Sequence, residues 1–231
     1  MSPNVLLIVL DAGRAQNFQL YGHVNETTPY LSSLESKATV YTQARSPSTW
    51  SLPSHTSMFT GLEVPEHCVT SRNDRLSAGH TIWETLQENG YETGVFSENP
   101  FITSNSYGLT RGFNTVISGI ITRQYPFSEA TNPNAFFAES EHDDAYHRYF
   151  RYAAAHGKPL RSIANAVIRQ MEISAKPLVP SSLQTSVGNP SRAHANSFLD
   201  WQAGKSNWAA CLNLTDVHHP YTPTSTHDQW G

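Results

Sequence analysis

Residues 5–11 read VLLIVLD, an unbroken apolar run that ends in a carboxylate, and this stretch decides the fold. A short run of this kind is typical of a parallel strand that is buried on both faces. Open α/β sheets place their ligands and catalytic groups at the carboxyl ends of such strands. We therefore expect Asp11 to lie at the tip of a first strand and to serve a site there.

A second motif starts at Ser51, which is followed by Leu-Pro-Ser-His and, after a short helical pattern, by Thr60-Gly61. Pro53 is favourable in the first turn of a helix. The motif therefore predicts a helix with Ser51 near its positive end, where an oxyanion is stabilised.

Each motif also has a simpler interpretation. An isolated aspartate after a strand can merely cap the next helix, and Ser51 can be the N-cap of its own helix, with Ser48 and Thr49 as rival nucleophiles. Taken together, the motifs favour a metal ligand beside a nucleophile, because a serine hydroxyl needs activation before it attacks an ester.

These motifs resemble the sulfatase family of the alkaline phosphatase superfamily. In that family a Pro-Asn-apolar-Asp strand supplies a metal ligand, and the nucleophile stands two residues before a proline. The resemblance covers residues 3–117 and 207–223, through Pro3-Asn4, Asp11, Arg14, Tyr21-Gly22, Thr28 to Leu31, Ser51 to Ser54, Thr60-Gly61, Thr81 to Thr93 and Asn213 to Tyr221. It implies an α/β fold with a mostly parallel sheet and helices on both faces, and a metal-dependent hydrolase of sulfate esters.

The resemblance also implies roles for individual side chains. Asp11 and Ser51 would bind the metal, and Ser51 would be the catalytic nucleophile. Arg14 would grip the anionic ester, although a surface arginine is an equal alternative. His218 would donate to the leaving group, with His219 as the competing histidine. The candidates for substrate binding are Asn99, Asp216 and His55.

Four departures from the family pattern bear on the chemistry. Ala12 replaces the usual second aspartate, and His55 replaces the arginine found where the nucleophile is oxidised to formylglycine. Ser97-Glu98-Asn99 stands in place of a Lys-x-His segment that grips sulfate. The chain ends at Gly231, before the segment that carries the remaining metal ligands, so we expect a truncated chain whose sheet is incomplete at the C-terminus.

Three functions follow as hypotheses. The first is a sulfate ester hydrolase, for which calcium is the expected cofactor. The second is a phosphodiesterase or phosphoryl transferase with an unmodified Ser51 and zinc or manganese, which Ala12 and His55 favour. The third is an inactive remnant that keeps part of the fold.

The composition limits which binding partners and which cellular compartment are expected. A formal net charge of −4 without a basic run argues against nucleic acid as a partner and leaves a small anionic ester as the expected substrate. No apolar stretch has the length of a membrane span or the flanks of a signal peptide, so a cytoplasmic protein without membrane contact is expected. Cys68 and Cys211 are expected to be ordinary buried thiols.

Residues 1–231 are predicted to form one catalytic region, in which residues 118–195 are an insertion that either caps the site or merely decorates the fold. The hydrophobic patterns predict helices near 28–37, 80–88, 146–155 and 192–203, strands at 40–44, 91–96 and 208–214, and loops at 62–79 and 177–191.

Overall fold

Four parallel strands form the sheet in the computed structural model, which describes residues 2–118, 127, 129–131, 133, 136, 145–155, 157–174 and 190–218. The strands are β1 (Val5–Leu10), β2 (Glu92–Ser97), β3 (Thr115–Ser118) and β4 (Trp208–Leu214), in the order β1-β4-β2-β3. The α-helices described are α1 (Pro29–Ser33), α2 (Ser51–Thr60), α3 (Val64–His67), α4 (Ile82–Glu88), α5 (Pro100–Thr103), α6 (Ala145–Ala155), α7 (Pro159–Ser174) and α8 (Pro190–Gln202). Short 3-10 helices cover Ala15–Asn17, Gln19–Tyr21, Glu35–Lys37 and Asn105–Tyr107.

The register of the strands brings distant parts of the chain to one end of the sheet. β1 pairs in parallel with β4, from Val5 opposite Ala209 to Leu10 opposite Leu214. β4 also pairs in parallel with β2, with Leu212 opposite Phe96. The carboxyl ends of these three strands therefore lie side by side, which is the position that open α/β sheets use for their sites.

Helices cover both faces of the sheet, as the sequence predicts. On one face, α2 and α4 contribute Leu52, Phe59 and Trp83 to a core that includes Ala209 and Cys211 of β4. On the other face, residues of α8 pack on the alternate residues of β2 and β4; this core consists of Phe198, Phe96, Ala210 and Leu212. Because side chains alternate along a strand, Asn213 shares the face of Cys211 and points toward α2.

The expectation that β1 is buried on both faces is wrong for the described structure. β1 is an edge strand, and Ile8 is 52% exposed. Among the described residues, no strand pairs with its outer edge. An apolar run therefore identified the strand correctly but not its place in the sheet.

Most predicted elements are present, with differences at three places. The helix predicted over 28–37 is α1 followed by a 3-10 turn, and α3 lies within the predicted loop 62–79. The prediction of a strand over 40–44 is wrong, because this segment contains a turn and pairs with none of the described strands, and Tyr41 is 72% exposed.

The two cysteines differ in their environment. Cys211 is buried as predicted, and burial raises the pKa of its thiol to about 12. Cys68 is exposed, so its prediction as a buried thiol is wrong. It follows α3 in the left-handed conformation at φ 54°, which turns it away from the core at the helix end.

The helices predicted within and after the insertion correspond to α6 and α8. Most of the loop predicted at 177–191 lies outside the described residues, and so does His219. Within the part of the chain that is described, no helix has both the length and the apolar character needed to cross a membrane.

Gly112 provides a test of the packing between β3 and α4. It adopts φ +81°, and a Cβ there would lie 2.3 Å from the backbone nitrogen of Glu84. We expect Gly112→Ala to lower the free energy of unfolding by about 4 kcal/mol or more, measured by urea denaturation. Gly61→Ala is the matched control, because Gly61 has φ +73° but no atom within 4 Å of the added Cβ; it should cost only about 1–2 kcal/mol. Equal losses of unfolding free energy in both variants would contradict the close approach of Gly112 to the Glu84 backbone.

Candidate active site

The Asp11 carboxylate and the Ser51 hydroxyl meet at the carboxyl end of the sheet. The Ser51 Oγ lies 3.4 Å from Asp11 Oδ1 and 3.3 Å from Oδ2, and it donates toward both oxygens. Ser51 is the first residue of α2, and Trp50 is the N-cap. The hydroxyl therefore does not cap its own helix but points to the strand tip, at the positive end of the helix dipole.

The spacing of these oxygens fits two neighbouring ligands of one divalent cation. Ligands at the calcium distance and at right angles lie about 3.3–3.7 Å apart, and tetrahedral zinc ligands have a similar separation. Asp11 Oδ1 receives no other hydrogen bond from the described residues, so a lone pair is available to a cation. Among the described residues, no group of three or more His, Cys, Asp or Glu side chains is placed to hold a metal ion.

A tight turn follows Asp11. Ala12 adopts the left-handed conformation at φ 62°, and Gly13 N–H donates to the carbonyl of Leu10 at 2.9 Å. Asp11 N–H donates to the carbonyl of Leu214 at 2.8 Å, which continues the ladder between β1 and β4. Asp11 is thus held by the sheet and is not the cap of a following helix, since Arg14 stands before the next 3-10 turn.

Asn99 lies at the tip of β2 and contacts the same carboxylate. Its Nδ2 donates to Asp11 Oδ2 at 2.8 Å, while its Oδ1 accepts the backbone N–H of Phe101 at 3.0 Å. The helix start at α5 therefore fixes the orientation of the amide and directs its NH₂ group toward Asp11. Asn99 is a hydrogen-bond donor in this arrangement and not a metal ligand.

His55 lies below the surface, and only 2% of it is exposed. It follows Leu52 and precedes Phe59 at helical spacing, so α2 directs it toward the sheet. Nδ1 lies 2.8 Å from the Ser51 carbonyl oxygen, and Nε2 lies 3.3 Å from Nδ2 of Asn213. Both ring nitrogens are therefore bonded within the protein, and the ring contacts the elements that carry the site.

Sequence reasoning assigned no role in the site to two polar residues of the quoted motifs, Ser97 and Asn213. Ser97 donates its hydroxyl to Asn213 Oδ1 at 2.6 Å and accepts the backbone N–H of Asn99 at 2.9 Å. Asn213 also directs Nδ2 at Asp11 Oδ2, at 3.4 Å. For Asn213 the available signal was a polar residue within the otherwise apolar strand β4, near the end that faces the site.

The other predicted site residues lie at the rim. Arg14 is exposed, two residues beyond the turn at Ala12. Asp216 and His218 are exposed in the turn that follows β4. Thr215, at the start of that turn, donates to the carboxylate of Glu98 at the tip of β2. The structure thus joins Asp11, Ser51, Asn99 and His55 through contacts and leaves the other three at the exposed edge.

Ser57 and His67 form a second serine–histidine pair, but it is not a nucleophile with its base. Val69 N–H donates to His67 Nδ1 at 3.0 Å, so the proton of the neutral ring lies on Nε2, which is 3.0 Å from the Ser57 hydroxyl. The histidine therefore donates and ties α3 to α2.

A sequence model of the sulfatase family matches residues 3–163, which is well over half of the chain. The chain belongs to the sulfatase family. The match includes Asp11, Ser51 and Asn99 and extends into the helical segment that the motifs left unassigned. A comparison with curated proteins gives no match.

Two solved structures share the fold of this sulfatase-family chain. The phosphonate monoester hydrolase of Agrobacterium radiobacter superposes with a TM-score of 0.62 at 18% identity, over 97% of this chain and 43% of the hydrolase. A protein described as a "putative sulfatase" from Bacteroides thetaiotaomicron VPI-5482 gives a TM-score of 0.55 at 16% identity, over 94% of this chain and 36% of that one. The chain thus spans less than half the length of each, and the likeness confirms the α/β fold with its parallel sheet.

Burial of His55 predicts a pH dependence of stability. Desolvation lowers the pKa of His55 below its ordinary value of 6.5, against smaller opposing effects of the Ser51 carbonyl and of Asp11. The unfolded chain then takes up this proton at higher pH than the folded protein, so the free energy of unfolding should fall as the pH drops below about 6.5.

We expect His55→Leu to flatten this decline between about pH 7.5 and pH 5.5, measured by urea denaturation in the presence of a chelator. Burial also lowers the pKa of His194 in α8. His194→Leu should therefore remove a separate part of the slope. A His55→Leu variant with the same slope as the unsubstituted chain would contradict the prediction.

Proposed function

We propose that this protein is a metal-dependent hydrolase of sulfate esters in which Ser51 is the nucleophile. Membership of the sulfatase family supports a hydrolase. The observation that carries the proposal is the approach of the Ser51 hydroxyl to within 3.3–3.4 Å of the Asp11 carboxylate at the end of a parallel sheet. That pairing joins a nucleophile to a metal ligand.

The charges around the site favour a substrate with a single negative charge. Among the described residues at the ends of β1, β2 and β4, the carboxylates of Asp11, Glu98 and Asp216 outnumber the guanidinium of Arg14. A phosphate monoester loses its second proton near pH 6 and is mostly dianionic at neutral pH. Sulfate monoesters, phosphodiesters and phosphonate monoesters carry one negative charge. Each is therefore repelled less by the excess of carboxylates at the site than a dianionic phosphate monoester is.

In the proposed reaction, Ser51 Oγ loses its proton to solvent and forms a bond to sulfur while the bond from sulfur to the alcohol oxygen breaks. His218 is the candidate proton donor to that oxygen, and Asp216 the candidate group that orients it. Asn99 holds the Asp11 carboxylate in place. Water then cleaves the sulfated serine, which releases sulfate and restores the hydroxyl.

A divalent cation is the proposed cofactor. Asp11 and Ser51 would hold it, together with ligands from outside the described residues. When bound, it would favour the serine alkoxide and offset the charge that builds up on the non-bridging oxygens of the ester. Calcium is the expected ion for a sulfatase with formylglycine, and zinc or manganese for an unmodified serine.

A second candidate function is hydrolysis of a phosphodiester or a phosphonate monoester. His55 occupies the position of the arginine that accompanies formylglycine, and its two ring nitrogens are bonded to Ser51 and Asn213. It is therefore engaged inside the protein and does not supply the missing cation. The structural likeness to a phosphonate monoester hydrolase also supports this candidate.

Turnover of a panel of aryl esters tests the proposed function. With added calcium, manganese or zinc, we expect release of sulfate from an aryl sulfate, and little turnover of an aryl phosphate monoester. Ser51→Ala should lower kcat by about a thousandfold or more. Ser57→Ala, on the same helix but bonded to His67, is the control and should keep its turnover.

Hydrolysis of only the phosphodiester or phosphonate substrates would contradict the sulfatase function and support the second candidate function. No turnover of any ester with any of these ions would support an inactive protein. The mass of the peptide that contains Ser51 tells whether the nucleophile is the unmodified serine or formylglycine, since formylglycine lacks a pair of hydrogen atoms that serine keeps.

Arg14 yields a separate prediction for substrate binding. An exposed guanidinium just beyond the tip of β1 can approach the ester without contacting the nucleophile. We expect Arg14→Ala to raise KM about tenfold with a smaller change in kcat, because a charged hydrogen bond to the ester is lost. Arg75→Ala, in an exposed loop, is the control, and equal KM values for both variants would exclude this role.

A further inference from the structure

A buried amide joins the end of β4 to the start of α2. The side chain of Asn213 is fully buried, with Oδ1 accepting the Ser97 hydroxyl at 2.6 Å. Nδ2 lies 3.3 Å from His55 Nε2 and 3.4 Å from Asp11 Oδ2. Exchanging the amide oxygen and nitrogen would place an oxygen against the carboxylate, so the contacts favour the observed orientation.

This amide and the Ser51 carbonyl agree on where His55 carries its proton. Nδ2 of Asn213 can only donate, so Nε2 of the ring accepts, and the proton of the neutral ring lies on Nδ1. Nδ1 then donates to the backbone carbonyl of Ser51 at 2.8 Å. The buried contacts therefore run in one direction, from Ser97 through Asn213 and His55 to the backbone of Ser51.

We propose that Asn213 is a positioning residue for Ser51, acting through the Nδ1-protonated form of His55. The proposal rests on the proposed role of Ser51 as nucleophile. Asn213 touches both the Asp11 carboxylate and the histidine that holds the Ser51 carbonyl. The separation of carboxylate and hydroxyl is therefore set by buried hydrogen bonds, whose loss leaves polar atoms without partners.

Nitrogen-15 NMR of the histidine rings tests the first half of the proposal without any substrate. In the full chain we expect His55 in the Nδ1-protonated form, assigned by comparison with a His55→Leu spectrum. In Asn213→Leu the Ser51 carbonyl still accepts from Nδ1, so the proton should stay there. The Nε2 resonance should shift, because Nε2 loses the hydrogen bond from the Asn213 amide. Asn213→Ala is the second variant, for use if the leucine variant does not fold. A wild-type ring protonated on Nε2, or an Nε2 resonance that does not shift in the Asn213 variants, would overturn the proposal.

Steady-state kinetics on the best ester substrate test the second half. His55→Leu and Asn213→Leu should each lower kcat about 10–100-fold while KM changes less than about threefold. Because the two residues act as one unit, the double variant should lose no more than the worse single variant. The positioning role would be overturned if the fold-losses of kcat multiply in the double variant, or if the substitutions change mainly KM.

His194→Leu provides the matched control for removing a buried histidine. His194 is only 1% exposed, and neither of its ring nitrogens has a hydrogen-bond partner in the described structure. Its substitution should leave kcat unchanged and should combine with Asn213→Leu without interaction. Absence of any ester turnover would overturn the role of Ser51, whereas the NMR result would still decide whether Asn213 donates to Nε2 of His55.

Discussion

The parallel pairing of β1 with β4 is the constraint on which the rest of the site depends. It joins residues 5–10 to residues 209–214 and seats Asp11 beside the end of β4 through the hydrogen bond to the Leu214 carbonyl. Only in this register does the Asp11 carboxylate lie within reach of both the start of α2 and the amide of Asn213. A slip by one residue would exchange the faces of β4 and remove that amide from the α2 side.

The core between α2 and the sheet combines ordinary apolar packing with a short line of polar groups. Leu52 and Phe59 belong to the same buried cluster as Val95 and Cys211 of the sheet. His55 lies between Leu52 and Phe59 along α2, and it contacts the polar side chain of Asn213 near the end of β4. Polar groups in such a position are costly unless each finds a partner, and here each donor faces an acceptor. The arrangement therefore ties the carboxylate and the hydroxyl to one rigid layer, which is what a site needs for precise geometry.

The sequence predicts the parts of this structure that depend on local pattern. The apolar run before Asp11, the helix that begins at Ser51 and the sheet with helices on both faces are all present. The parts it misses are set by tertiary contacts. Whether an apolar strand lies at an edge, whether residues 40–44 find a neighbouring strand, and whether Cys68 turns outward all depend on the partners that surround them.

The buried hydrogen bonds that run from Ser97 through Asn213 and His55 to Ser51 could be predicted only in part. Asn213 was recognised as belonging to a family motif, but its contact with His55 joins residues 158 positions apart in the chain. The hydrogen bond between Ser97 and Asn213 likewise joins neighbouring strands across 116 positions. A single polar residue in an apolar strand marks such a contact without naming its partner.

The central claim is that Asp11 and Ser51 bind one cation. Anomalous X-ray diffraction from crystals of the manganese-loaded protein tests it most directly, because the ion is located without reference to activity. The account predicts a peak within about 2.5 Å of both a carboxylate oxygen of Asp11 and Oγ of Ser51. A peak elsewhere in the protein, or one that only one of these side chains reaches, would contradict it.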